Sequence, residues 1–229
     1  MPLSVKRKWF PSRRKLALVL IIALAVTAGF AWRLGSDAVV QAPEEIADYL
    51  FWEAKDLTAF TLVGANNETL RLDDIKGKWS FIFFGYTHCP DVCPLTLGAL
   101  GAAFRILEQD PTVSPAIQGI FVSVDPKRDT PELLKEYVSY FNAKFSGVTG
   151  TTAQVDAITR QMGALYAMHP GKSEESYLVS HNSSIFLVDP RGRLYGRFPP
   201  PHAPRELAEI FAKIRAFYDE REGKGWTFF

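Results

Sequence analysis

Residues 79–86, WSFIFFGY, are an unbroken run of aromatic and β-branched side chains of strand length. A strand with one face in water alternates apolar with polar residues; this one does not, so it must be covered on both faces. The run therefore predicts the central strand of an α/β domain. A polar, proline-rich turn, THCPDVCP, follows at once, and after Pro94 the apolar residues Leu97, Leu100, Phe104 and Leu107 recur at spacings of three and four. That spacing predicts a helix beginning right after Cys93. Strand, cysteine-bearing turn and helix are thus contiguous.

The rest of the chain supplies matching parts. AFTLV and NNETLRL are short β-prone runs separated by Gly64, Asn66 and Asn67, a hairpin signal. AIQGIFVSV reads as a second buried strand, and Thr130 with Pro131 supplies the cap and first turn of a helix to about Phe141. A helix over 152–162, strand material in YLVSH and SSIFLVDP, a turn at RGRL and an amphipathic helix over 206–218 complete the pattern. This order of elements predicts an α/β thioredoxin-like sandwich.

Ahead of that domain, residues 16–32, LALVLIIALAVTAGFAW, carry no charge. As a helix the run spans roughly 25 Å, close to the hydrocarbon core of a bilayer. Lys6, Arg7, Lys8, Arg13, Arg14 and Lys15 all precede it, which predicts a cytoplasmic N-terminus over 1–15 and a single-pass transmembrane anchor over 16–32. The remainder would then lie on the far face of a bacterial inner membrane, in the periplasm. A cleavable signal peptide competes with this reading, but the apolar run is long for one and RLGS after it is a poor cleavage site. Residues 33–55 read as a linker and the soluble domain as 56–229. Without its six leading cations the chain is mildly acidic, which argues against a nucleic-acid partner.

Cys89 and Cys93 are the only cysteines. A bridge across so short a loop removes little entropy from the unfolded chain, so stapling is a poor reason for the pair. Redox or metal chemistry suits two close thiols better. With Pro94 in the first helical turn, Cys93 should sit near the N-cap, where the helix end favours a thiolate and lowers its pKa. Two thiolates select soft ions such as Cu(I) or zinc, and a third ligand is wanted. His88, His169, His181 and His202 are the histidines. His88 adjoins Cys89 but can face away, and His169 and His202 lie in loop sequence where histidines are commonly solvated. His181 falls between YLVS and NSSIFLVDP, in what reads as a hairpin connection, and sequence pattern alone does not single it out. Met162 and Met168 read as core filler rather than soft ligands.

The strings FFGYTHCPDVCP, FVSVDPKRDTPE and YLVSHNSSIFLVDPRGRLYGRF resemble the SCO/SenC family of copper-binding proteins, which assist assembly of the dinuclear copper centre of cytochrome c oxidase. The resemblance runs from about Phe60 to Phe217, and the anchored layout is similar too. It implies a copper site, Cu(I) and in some states Cu(II), formed by Cys89, Cys93 and His181. It places Asp125 near the metal, where it would act on the ligands only indirectly. Where many members carry an Asp before the histidine, this chain has Ser180, which implies a difference in either the orientation or the basicity of His181.

The implied function is a copper metallochaperone for the copper-bearing subunit of cytochrome c oxidase, with other copper chaperones or thiol reductants as further partners. A membrane-tethered thiol-disulfide reductase acting on the cysteines of that copper site is the alternative, although CxxC is the more usual spacing for such enzymes. A peroxidatic thiol is a third reading, weaker because it leaves the histidine without a task. The ending GKGWTFF is either a docked tail or an exposed apolar patch.

Overall fold

The computed structural model describes residues 13–36, 41–169 and 177–222. Two compact units divide at residue 41. The first contains helix α1 (Arg13–Ser36). Its described side chains, Arg14, 17–27 and Gly29, are exposed, and Leu18, Val19, Ile21 and Leu24 are among them. Among the described residues no helix is long and apolar enough to cross a membrane. Residues 1–12, with Lys6, Arg7 and Lys8 of the cationic cluster, and GKGWTFF lie outside the described residues.

The second unit contains, in order, α2 (Glu44–Ala47), β1 (Leu50–Asp56), β2 (Thr61–Val63), β3 (Thr69–Arg71), α3 (Leu72–Ile75), β4 (Trp79–Gly85), α4 (Val92–Leu107) and β5 (Ile117–Ser123). It continues with α5 (Pro131–Ser139), β6 (Phe145–Val148), α6 (Thr152–Met162), β7 (Tyr166–His169), β8 (Leu178–His181), β9 (Ile185–Val188), β10 (Arg193–Phe198) and α7 (Pro204–Glu222). Six strands form one mixed sheet in the order β1-β10-β9-β4-β5-β6. β4, β5 and β6 run parallel, and β9 is antiparallel to β4. This is the thioredoxin-like sandwich that the order of elements predicts.

β4 is buried along its whole length, as its unbroken apolar run requires. Phe81, Phe83 and Gly85 share one face by strand alternation. On that face Phe81 meets Phe104 of α4 and Phe211 of α7 edge-on, at 5.2 and 4.9 Å between ring centroids. Trp79, at the start of the strand, is packed by Tyr195, Phe211 and Tyr218. The aromatic core thus fixes β4 under α4 and leaves the C-terminal end of β4 to present the cysteine turn. Thr130 caps α5 through its hydroxyl, which accepts from the amide of Leu133, and Thr151 with Gln154 forms a capping box on α6.

Four expectations change. Residues 50–55, assigned to the linker, form with Asp56 the edge strand of the sheet, which pairs antiparallel with β10, so the second compact unit begins at residue 42 rather than 56. Its mixed charges are those of a strand with one open edge, a pattern that resembles a tether. RGRL is only partly a turn, since β10 begins at Arg193. His181 is not in a connection between paired strands: it ends β8, which pairs with β7, while β9 joins the main sheet beside β4. β7 itself falls in sequence read as loop.

Candidate metal centre

The turn after β4 is tight. The amide of Cys89 donates to the carbonyl of Tyr86 (3.3 Å), placing Thr87 and His88 at its corners. Asp129, buried after β5, holds this turn from below: it accepts from the amide of Thr87 (3.0 Å), the hydroxyl of Thr87 (2.5 Å) and the hydroxyl of Ser123 (2.5 Å). α4 then starts at Val92, one residue before Cys93, and the amide of Cys93 donates to Sγ of Cys89 (3.4 Å). Cys93 is fully buried and Cys89 is half-buried. Gly85 makes room for the deeper sulfur, because a Cβ there would stand 2.6 Å from Sγ of Cys93.

β8 delivers His181 to the same place from late in the chain. Its Nε2 lies 3.2 Å from Sγ of Cys93, and the ring packs edge-on against Phe83 and Tyr86. Nδ1 sits 3.0 Å from the carbonyl of Asn182. A carbonyl can only accept, so Nδ1 carries the proton and Nε2 turns its lone pair toward the sulfurs. The carbonyl of Asn182 thereby orients the ring. Ser180 points the other way, 2.8 Å from Nε2 of His169. The ligand atoms of Cys89, Cys93 and His181 all lie within 4.8 Å of one another.

Burial sets the protonation of the group. It pushes the Cys93 thiol well above the ordinary thiol value, reinforced by Cys89 beside it, and pushes His181 below the ordinary imidazole value. The lowered thiol pKa expected from the helix N-terminus is therefore overturned at Cys93. Desolvation of a sulfur with no exposed surface outweighs the fractional charge of a helix end. A bound cation would reverse this, since coordination removes a thiol proton outright. The site is thus poised to exchange a proton for a soft ion.

Asp125 does not touch the ligands. Its buried carboxylate accepts from Nε of Arg128 and from the hydroxyl of Tyr177, each at 2.5 Å. Nη1 of Arg128 donates to the carbonyl of Tyr177 (3.1 Å), and its guanidinium lies 3.7 Å over the Tyr177 ring and 5.6 Å over that of Tyr86. The hydroxyl of Tyr86 in turn accepts from the amide of Val179 (3.3 Å). These contacts clamp the start of β8 to the ends of β4 and β5, so Asp125 acts on His181 through the hairpin. Arg128, Asp129, Tyr86, Tyr177 and Asn182 were not singled out by sequence pattern; the only local signal for the first two was KRD between a strand end and a helix cap.

The other histidines are not among the three converging ligands. His88 turns Nδ1 toward Thr87, His169 is exposed, and Nε2 of His202 donates to the carbonyl of Ser183 (2.8 Å). Met162 is core, as expected, but Met168 is exposed on β7.

A thioredoxin-like fold with two cysteines at the strand-to-helix turn and a remote histidine folded onto them defines a class of soft-metal and thiol proteins. Within that class, the SCO1/SenC sequence profile matches residues 53–216, and the chain belongs to this family. It is 36% identical over 152 residues to a SCO2-like protein of Rickettsia felis, covering 66% of this chain and 73% of that one. Copper-bound ScoI of Arabidopsis thaliana superposes with a TM-score of 0.64 at 29% identity, over 69% of this chain and 98% of that one. Copper-bound ScoI of Bradyrhizobium japonicum gives 0.62 at 33% identity, over 69% and 99%.

Proposed function

We propose that this protein is a copper carrier that binds Cu(I) through Cys89, Cys93 and His181 and hands it to the copper-bearing subunit of cytochrome c oxidase. One observation carries the copper half of the reading: two sulfurs and one imidazole lone pair converge within 4.8 Å at the end of the central strand. Soft donors in that number suit Cu(I), and a three-ligand shell leaves a side open for an acceptor's ligand. Four thiolates would instead close the site around a structural ion. Support for the recipient comes from the family's association with oxidase assembly. Support for an inner-membrane anchor, with the soluble unit in the periplasm, comes from the uncharged run and the cations before it.

Transfer by this route is ligand exchange. An incoming donor bonds to copper, one resident bond breaks, no electron moves, and a thiolate released by the metal takes a proton from water. Burial of Cys93 directs the acceptor to the half-exposed Cys89 side.

The reductase reading draws on the same asymmetry, with Cys89 as the accessible attacking thiol and Cys93 as the buried resolving one. His181 separates the two. Anaerobic titration of the reduced protein should give one equivalent of tightly held Cu(I), lost in Cys89→Ser and Cys93→Ser and weakened by His181→Ala. Disulfide reduction that survives His181→Ala while copper binding is also unaffected by it would favour the reductase.

A further inference from the structure

His88 stands at the outer corner of the cysteine turn, with its side chain 53% exposed. Nothing in the three-ligand site requires it, yet the contacts of Nδ1 select one tautomer of its ring. The hydroxyl of Thr87 is 2.5 Å from Oδ1 of Asp129 and 3.1 Å from Nδ1 of His88. The shorter contact is the charge-assisted one, so the hydroxyl proton goes to the carboxylate. The carboxylate already accepts from the amide of Thr87 and the hydroxyl of Ser123, and the latter accepts in turn from the amide of Asp125. Every proton in this chain runs toward Asp129. The oxygen of Thr87 is then left to accept, and Nδ1 of His88 must donate to it. Oδ1 of Asp129 at 3.7 Å from Nδ1 favours the same arrangement.

The consequence falls on the other nitrogen. With Nδ1 protonated, Nε2 of His88 carries the lone pair, and it has no hydrogen-bond partner among the described residues. The tautomer matches that of His181, whose Nδ1 is held by Asn182. One imidazole aims its lone pair inward at the sulfurs; the other presents it to solvent, one residue from Cys89. A metal-free role would be served equally well by either tautomer or by any polar residue at an exposed turn corner.

We infer that His88 is an outer relay ligand: it takes copper transiently, in partnership with Cys89, as the ion enters or leaves the buried site. This rests on the copper reading above. On release, a bond from copper to Nε2 of His88 forms as the bond to His181 breaks. Copper stays monovalent throughout, and the thiolate of Cys93, when it lets go, is protonated by water. Thiolate and imidazole together satisfy Cu(I), so the ion is not set free on its way to the acceptor. A donor on the adjacent residue also acts at high effective concentration, which speeds exchange without deepening the resting site.

The experiment compares the wild-type full chain with His88→Gln and His88→Met, each in detergent and loaded anaerobically with one Cu(I). Equilibrium affinity and the rate of copper transfer are both read with bicinchoninate, a chromophoric Cu(I) ligand. Expected is a transfer rate lower by about tenfold in His88→Gln, with affinity within about twofold, as loss of a tethered exchange ligand requires. His88→Met, which keeps a soft donor, should recover most of the rate. Wild-type rate in His88→Gln overturns the inference, as does affinity falling in step with rate, or His88→Met no faster than His88→Gln. A wild-type protein that takes up no copper would instead remove the copper reading itself.

Discussion

Replacing Gly85 with alanine tests the packing that seats the inner sulfur. The new methyl would stand 2.6 Å from Sγ of Cys93, and 2.8 and 3.2 Å from Cε2 and Cζ of Phe121. Ordinary contacts settle at about 3.5–4.0 Å, so the sulfur or the ring must retreat by roughly 1 Å. Neither has free space: Cys93 is fully buried and Phe121 is 1% exposed, flanked by the tilted rings of Phe83 and Tyr137. Overpacking of this kind costs about 1–3 kcal/mol. At about 2–4 °C per kcal/mol for a domain of this size, the melting temperature should fall by about 2–12 °C. The metal site should suffer more than stability alone, because a ligand must hold within about 0.5 Å of its working position. Cu(I) affinity should fall by about 10–100-fold, the usual loss when support of a metal ligand is disturbed. Gly98, in α4, is the control, since nothing lies within 4 Å of a Cβ there. Gly98→Ala should raise stability by about 0.5–1 kcal/mol through helix propensity. Thermal melts and chelator competition read both variants. Gly85→Ala with wild-type affinity and melting temperature would refute the reasoning.

Other outcomes follow from the same geometry. Because burial holds the Cys93 thiol above the ordinary thiol value, copper must displace its proton at every pH below that value. His181 is held below the ordinary imidazole value and is already neutral near pH 7, so it adds no opposing proton there. Apparent Cu(I) affinity should therefore rise at least about tenfold per pH unit from about pH 6.5 to 8, and a flat profile by chelator competition would contradict this. Arg128→Leu strips the buried Asp125 of its cation and loosens the clamp on β8. Urea denaturation should show a loss of about 3 kcal/mol, and hydrogen exchange at Val179 should quicken; a loss under about 1 kcal/mol would show the clamp to be slack.

Much of this was legible in the chain itself, for physical reasons that differ by element. β4 announced its burial because a two-sided interior demands unbroken apolar sequence, and α4 announced its core-facing stripe by its spacing. Thr130 and Thr151 marked their helices because a cap needs a hydroxyl at one defined place. β1, β6 and β7 were hidden: each is short or lies at an edge, where tertiary pairing rather than composition decides conformation. The cysteines were legible as a pair, but not their inequality, since the position of Cys93 under Gly85 belongs to packing between strand and helix. His181 was visible only through family resemblance. A histidine 88 residues after Cys93 carries no local sign of where its ring will rest, and the carbonyl that orients it has no sequence signature at all. Asp129 was missed because an acid before a helix cap looks like a first-turn residue, whereas here it gathers three donors beneath the cysteine turn.

X-ray absorption at the copper edge, on the reduced, Cu(I)-loaded protein and on His181→Ala, asks most directly which atoms hold the ion. The account predicts two sulfurs at about 2.3 Å and one nitrogen at about 2.0 Å, by comparison with zinc bound to the same donors. The nitrogen shell should vanish in His181→Ala. A first shell of sulfur alone, identical in both proteins, would contradict it.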